Sequence, residues 1–373
     1  MSANTEAVDV LVVGGGVIGL AVAWRAQLRG LSVEVLERDA VGERCASGVA
    51  AGMLAPVSEA EFGAVGRRVL ELGVRSAALW PGFAAELGQA AGIEVGLRPS
   101  GTLVVARDAD EARELERQLA FREELGLRAR RLLPSAARAL EPALAPTVRL
   151  ALEAPDDHSV DPRRVLAALR GACEAAGVRL REHAPVVAVE LDEQRRRVVG
   201  VTLTGGTRVA AEQVVLAAGA WTTQIDGLPS HARLPVRPVK GQILRLRDPE
   251  GPGLLQRVLR FEGGYLVPRG DGRYVLGATM EERGFDPLPT AGGVYELLRH
   301  ARELIPGVLE LQIEELSVGF RPATPDNAPA IGPGALAGLH WAAGHHRNGI
   351  LLAPLTAALL AEALAGTPVG VPS

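Results

Sequence analysis

Glycines at 14, 15, 16 and 19 follow the apolar run Val10-Leu11-Val12-Val13, and an acid, Glu37, closes the next apolar run. That is the spacing of a dinucleotide-binding unit. Val10 to Val13 would form a buried strand, and Gly14 the tight turn after it. Gly16 lets backbone N–H groups approach a pyrophosphate, and Gly19 lets the next helix pack closely on the sheet. Val17 and Ile18 open that helix, whose N-terminus faces the phosphates. Glu37 ends the strand Ser32 to Leu36, where a carboxylate can accept both hydroxyls of an adenosine ribose and repel a phosphorylated one. At this level NAD and FAD fit equally.

The elements around this unit suggest a cofactor domain built from separated pieces. Arg44 to Pro56 is a run of small residues through which backbone can come close to a flat ligand. Arg67 to Leu87 and Arg107 to Leu125 have helical spacing, with a short strand at Gly101 to Ala106 between them. Asp161 and Pro162 start a helix that runs to Ala176 and ends at Gly177. Strands follow at Val186 to Leu191 and Val198 to Leu203, with Gly205-Gly206 as the turn. A further strand begins at Gln213 and runs into the small residues Ala217 to Ala220. From Gly241 to Met280 the pattern alternates, with Gly270-Asp271-Gly272 as a hairpin turn between Tyr265-Leu266-Val267 and Tyr274-Val275-Leu276. Leu339 to Ala343 is then a strand, 344–349 a turn, and Ile350 to Ala365 a helix whose N-terminus favours negative charge on anything bound beside it.

Composition excludes several classes. With 373 residues and 47% hydrophobic content the chain can bury the cores of two domains. A net charge of −4 gives no basic field for nucleic acid or an anionic membrane. The densest charged segment, Arg107 to Arg131, alternates acids and arginines while Ala112, Leu115 and Leu119 share one face, as in a solvated helix. Cys45 and Cys173 form neither a disulfide framework nor a metal-ligand pattern and are expected to be reduced packing residues; no metal site is expected. Glu6 and Asp9 precede the first apolar run, unlike a secretory signal, so a cytoplasmic location is expected. Ile350 to Ala361 is short, broken by Pro354 and followed by Glu362, which suits a buried helix and not a membrane span.

Taken in order, these stretches resemble the FAD-dependent amine and amino-acid oxidases of the D-amino-acid oxidase superfamily, and within it the glycine oxidase branch associated with thiamin thiazole synthesis. The resemblance covers nearly the whole chain. It rests on Val13 to Gly19 with Glu37, Ala50-Ala51-Gly52-Met53-Leu54, Tyr265-Leu266-Val267-Pro268-Arg269, Gly277-Ala278-Thr279-Met280, Gly319-Phe320-Arg321-Pro322 and Gly344-His345-His346-Arg347-Asn348-Gly349-Ile350-Leu351. It implies an α/β chain, α+β overall, with a Rossmann-like FAD-binding domain of glutathione-reductase type interrupted by an antiparallel-sheet substrate domain. Residues 1–87, 151–225 and 316–373 would form the first, and 88–150 and 226–315 the second. The implied reaction oxidises glycine or another small amino acid or amine by hydride transfer to flavin N5, giving an oxo acid (glyoxylate from glycine), ammonia and, with oxygen as acceptor, hydrogen peroxide. FAD would be non-covalent, because neither cysteine lies in the C-terminal stretch where sarcosine oxidases attach their flavin.

The resemblance also assigns site residues. FAD would lie on Gly14, Gly16, Val17, Ile18, Gly19, Glu37, Arg38, Ala46, Ser47, Ala51, Gly52, Met53, Val186 and Gly219. The turn His345, His346, Arg347, Asn348, Gly349, Ile350 and Leu351 would complete its site. Arg321 matches the arginine that takes the substrate carboxylate, a role chemistry supports because a guanidinium meets a carboxylate with two parallel hydrogen bonds. Tyr265 matches the tyrosine that reaches the same carboxylate. Arg347 would assist the substrate or the negative end of the flavin, and Met53 and Met280 would narrow the pocket. No essential acid or base is expected, and the two histidines are expected at the cofactor and the surface. One departure concerns substrate preference: the glycine oxidases carry a histidine shortly before the tyrosine, and here Glu262, Gly263 and Gly264 stand. Expected partners are a small amino acid or amine and oxygen, with no nucleic acid or membrane; homo-oligomers are common in the family, although no interface is legible. Alternatives are a D-amino-acid or sarcosine dehydrogenase with another acceptor, the oxidase module of an RNA-modifying enzyme, and a cofactor-binding module without turnover.

Overall fold

The computed structural model describes residues 7–251 and 253–366; Glu6 lies outside them. Its first sheet has a parallel core in the spatial order Leu339–Ala343, Arg208–Leu216, Val8–Val13, Val33–Leu36 and Arg179–Arg181. Ala330–Pro333 pairs antiparallel at one edge, and Val198–Leu203 and Val186–Leu191 branch as an antiparallel ribbon from the strand Arg208–Leu216. The central strand Val8–Val13 is buried on both faces, which explains its unbroken apolar sequence.

Four helices, Val17–Gln27, Gly63–Ala91, Pro162–Ala176 and Gly349–Leu364, bury Trp24, Trp80, Phe83, Leu169 and Leu360 on one face of this sheet. The helix Val17–Gln27 can approach the sheet because residue 19 has no side chain: a Cβ there would collide with the carbonyl oxygen of Gly14. Gly14 itself has φ +111°, a conformation L side chains resist. The helix Pro162–Ala176 is bounded as its sequence indicates. The Asp161 side chain accepts from the N–H groups of Arg163 and Arg164, and Gly177 ends it at φ +87°.

The second sheet runs Gln312–Ala323, Arg237–Arg247, Arg273–Gly277, Gly264–Pro268, Val258–Phe261, Thr102–Ala106, Leu150–Ala154, Arg130–Leu132. It is antiparallel except where Val258–Phe261 runs parallel to Thr102–Ala106. The boundaries expected at 150/151 and 315/316 therefore fall inside strands of this sheet. Helices Ala109–Glu124 and Ala291–Leu304 pack on it.

The charged segment 107–131 departs from the expected solvated helix. Its helix ends at Glu124, the chain turns at Gly126 with φ +68°, and Arg130 and Arg131 join the edge strand. Within the helix Arg122 is only 1% exposed and donates to the carbonyls of Val57, Ser58 and Gln118. Burial pushes its pKa down to about 10. Alternating charge shows that a helix has a wet face; it does not show that every charge lies on it. Among the described residues no helix is long and apolar enough to cross a membrane.

Candidate active site

A cavity of about 830 Å³ runs between the two sheets. One end is built by the first βαβ unit. Gly14, Gly16, Val17 and Ile18 line it beside Glu37, whose carboxylate accepts from the N–H of Gly15 at 2.6 Å and of Asp39 at 3.1 Å. Ser47 Oγ accepts from the N–H of Val17 at 3.2 Å, which fixes the short helix Ala46–Val49 across the opening of the first long helix. The guanidinium of Arg38 sits 4.2 Å from the ring centroid of Trp221, a contact worth about 0.5–1 kcal/mol when exposed. Val186 and Gly219 complete this end.

The middle of the cavity is a slot between small residues. Ala50, Ala51, Gly52 and Met53 face Ala217, Ala218, Gly219 and Ala220, with Ala342 and Ala343 behind. Three arginines hold the first strip by its carbonyls. Arg245 donates to Gly48 at 2.9 Å, Arg163 to the same oxygen at 3.0 Å, and Arg269 to Ala51 at 2.8 Å and to Val160 at 2.7 Å. Burial pushes Arg269 down to about 10. Gly349 and Ile350, the first turn of the C-terminal helix, also line the slot, so helix N–H groups lacking intrahelical acceptors lie beside it. Dinucleotide cradle, flat slot and helix N-terminus together fit FAD.

The far end rests on the second sheet. Arg321 donates to the carbonyls of Thr279 at 3.0 Å and Lys240 at 3.4 Å, and among the described residues it forms no ion pair. The internal salt bridge that would explain a half-buried arginine away is therefore absent there, and two backbone bonds leave guanidinium donors free. Its guanidinium lies over Gly241, where a Cβ would collide with it. Tyr265 is paired with Gly277 across the sheet, and a Cβ at 277 would stand 2.7 Å from the tyrosine hydroxyl. Burial pushes the Tyr265 pKa up, opposed by the charge of Arg321 beside it, so the hydroxyl stays a proton donor at neutral pH. Met53 packs in the apolar cluster with Tyr265, Ile243 and Val267, whereas Met280 stands at the rim, 62% exposed.

The C-terminal turn divides. His345 lines the cavity and is 2% exposed, with Nε2 3.0 Å from Thr356 Oγ1. His346 is half-buried on the cavity wall and donates its N–H to the carbonyl of Pro322. Burial pushes both imidazoles to about 4, reinforced at His346 by Arg321 and Arg347. Arg347 lines the cavity, but its guanidinium pairs with Glu59 at 3.2 Å and Glu61 at 2.6 Å. Gly19, Asn348 and Leu351 do not line the cavity. Gly19 is consumed by helix–strand packing, and the Leu351 carbonyl accepts from Ser76 and Trp80.

Sequence reasoning gave no role to Glu59, Arg260, Gly241 or Gly277, all of which touch or shape this end. Extending the hairpin pattern back through Phe261 would have placed Arg260 opposite Tyr265; nothing in the sequence marks Glu59.

A parallel nucleotide sheet and a second sheet presenting an arginine and a tyrosine at the far end of one slot define a flavin-dependent oxidoreductase. The profile of the FAD dependent oxidoreductase family, DAO, matches residues 9–363, and the chain belongs to that family, whose cofactor is FAD. It is 40% identical over 357 residues to the bifunctional protein ThiO/ThiG of Trichormus variabilis, covering 95% of this chain and 52% of that protein. The chain thus spans about half the length of that relative. It is 37% identical over 360 residues to the glycine oxidase of Geobacillus kaustophilus, covering 96% and 93%. The crystal structure of glycine oxidase from Geobacillus kaustophilus superposes with a TM-score of 0.89 at 35% identity, covering 99% of this chain and 97% of that one.

Proposed function

We propose that this chain oxidises glycine, or another small amino acid or amine, at the carbon bearing nitrogen, with oxygen as acceptor, and that its product feeds the making of thiamin thiazole. The observation that carries this reading is the pair Arg321 and Tyr265, set side by side over glycines at the end of the slot. The likeness to glycine oxidases along almost their whole length supports the substrate, and the likeness to half of a ThiO/ThiG protein supports the link to thiazole.

In this reading the free donors of Arg321 take the substrate carboxylate bidentately while the Tyr265 hydroxyl donates to one of its oxygens. That fixes two of the three points that orient a small amino acid, and Met53 limits the volume left for a side chain. Gly14, Gly16, Glu37, the strip 50–53 and His346, Gly349 and Ile350 would hold FAD without a covalent bond. FAD held there would supply the two-electron acceptor for the hydride leaving the substrate carbon and the route by which oxygen is reduced to hydrogen peroxide.

No residue is needed to remove a proton from carbon. His300, His345 and His346 line the cavity, and burial pushes the last two down to about 4, which makes them poor bases. Work falls instead to alignment and to loss of water around the amine, which must be neutral to react. Incubation of the FAD-loaded protein with glycine in air should yield glyoxylate and peroxide in equal amounts. Glyoxylate without peroxide would shift the acceptor away from oxygen, and neither product would refute glycine as substrate.

A further inference from the structure

Beside Tyr265 the cavity wall carries two guanidiniums aimed at one carboxylate. Glu59 Oε2 lies 3.2 Å from Arg347 Nε, and its Oε1 lies 3.4 Å from Arg260 Nε. All three residues line the cavity. Arg260 is the cross-strand partner of Tyr265, so the two side chains share a face with Cβ atoms about 5 Å apart. The charges of Glu59 and Arg260 both act on the Tyr265 hydroxyl, which places the cluster next to the proposed substrate end. Two convergent arginines are the recognition set for an anion, and here the anion is a side chain of the protein.

That side chain is held firmly. On one side of its loop the buried carboxylate of Asp157 accepts from the N–H of Val57 at 3.0 Å and of Ser58 at 2.5 Å. On the other, buried Arg122 donates to the carbonyls of Val57 and Ser58 at 2.7 and 3.0 Å, and Arg260 Nη1 donates to Ser58 at 2.5 Å. A buried acid and a buried arginine spent on two consecutive peptide units leave Glu59 little freedom to withdraw. Its carboxylate is a fixed plug and not a mobile surface charge.

We infer that Glu59 determines specificity by occupying, with its own carboxylate, a two-arginine anion site in the substrate cavity. It thereby excludes amino acids bearing a second anionic group and keeps the enzyme for monocarboxylates. This rests on the proposed function, with Arg321 taking the first carboxylate. A dicarboxylate entering the native cavity meets Glu59 on Arg260 and Arg347, a like charge that it must displace from two ion pairs. Removing the Glu59 charge leaves Arg260, together with Arg347 held on its other side by the exposed Glu61, to receive the second carboxylate.

The test compares substrate pairs matched in shape on the FAD-loaded wild type, Glu59→Gln and Glu59→Ala. Iminodiacetate is set against N-ethylglycine, and D-aspartate against D-2-aminobutyrate, so that a second carboxylate on nitrogen or on carbon is each covered. For at least one pair, the kcat/KM ratio of dianionic to neutral substrate should rise by about tenfold or more in both variants. In parallel, perturbation of bound-flavin absorbance should show malonate gaining affinity over acetate. An unchanged ratio in flavin-loaded variants, or an equal gain for the neutral partners, would overturn the inference and leave Glu59 a steric or structural residue. Inactivity of the wild type towards every amine would instead refute the proposed function, and the malonate and acetate affinities would still decide the anion site.

Discussion

Tyr265 lies across Gly277: the two residues are in register on neighbouring antiparallel strands, and a Cβ on residue 277 would stand 2.7 Å from the tyrosine hydroxyl. On the adjoining ladder Arg321 is in register with Val239, two pairs along from the pairing of Gly241 with Gly319, and its guanidinium reaches over Gly241, where a Cβ would collide with it. Both polar groups of the proposed carboxylate site thus lie over bare backbone. Gly277→Ala should push the hydroxyl out of line and raise KM for glycine on the order of tenfold, at a stability cost of about 1–3 kcal/mol from overpacking. FAD content should be unchanged, because residue 277 lies at the substrate end; steady-state kinetics beside the flavin absorbance ratio would check it.

Arg321→Met removes the guanidinium while roughly keeping its stem. Hydrogen bonds to charged groups contribute about 1.5–3 kcal/mol each, so loss of a bidentate pair should lower kcat/KM by about 100-fold or more. Flavin titration should give wild-type FAD affinity. An unchanged glycine affinity would remove Arg321 from the site.

How much of this was legible in the sequence follows from the range of the signals. The first βαβ unit, the helix Pro162–Ala176 and the hairpin around Gly270 were readable because caps, turns and alternation are local, and each structural boundary falls where its own residues place it. The helix expected over Arg107 to Leu125 was readable too, but the burial of Arg122 within it and the pairing of Arg130 with Glu153 were not, because both depend on partners outside that segment. Arg321 and Tyr265 were visible through motif resemblance. Glu59 was not, since its meaning comes from Arg260 and Arg347, each far away along the chain. The commitment of Arg347 to Glu59 and Glu61 was hidden for the same reason.

Glu37 joins the cofactor end together by accepting from Gly15 and Asp39. Glu37→Ala frees both N–H groups and removes the proposed ribose acceptor. FAD affinity should fall by about 10- to 100-fold, corresponding to roughly 1.5–3 kcal/mol. Fluorescence titration of apoprotein with FAD would measure it, with glycine kinetics at saturating FAD nearly restored.

Acid should destabilise the protein through its buried histidines. His345 and His346 have folded pKa values near 4, below the unfolded value of 6.5. The unfolded chain therefore binds more protons between those values, and stability falls as pH drops through that window. From pH 7 to pH 5 each histidine withdraws about 2 kcal/mol at most. Asp157 acts in the opposite sense, since burial raises its pKa from 3.8 to about 6, so acidification towards 4 relieves a penalty on the folded state. His345→Gln keeps a group able to meet Thr356 but cannot be protonated. The fall in Tm from pH 7 to pH 5 should be visibly shallower in this variant, and an unchanged fall would mean that His345 is not the group responsible.

The most direct measurement is anaerobic. Glycine added to the FAD-loaded protein without oxygen should bleach the absorbance of oxidised flavin, and admission of air should restore it. Flavin that stays oxidised with glycine and with every small amine tried would contradict an amine-oxidising site at Arg321 and Tyr265.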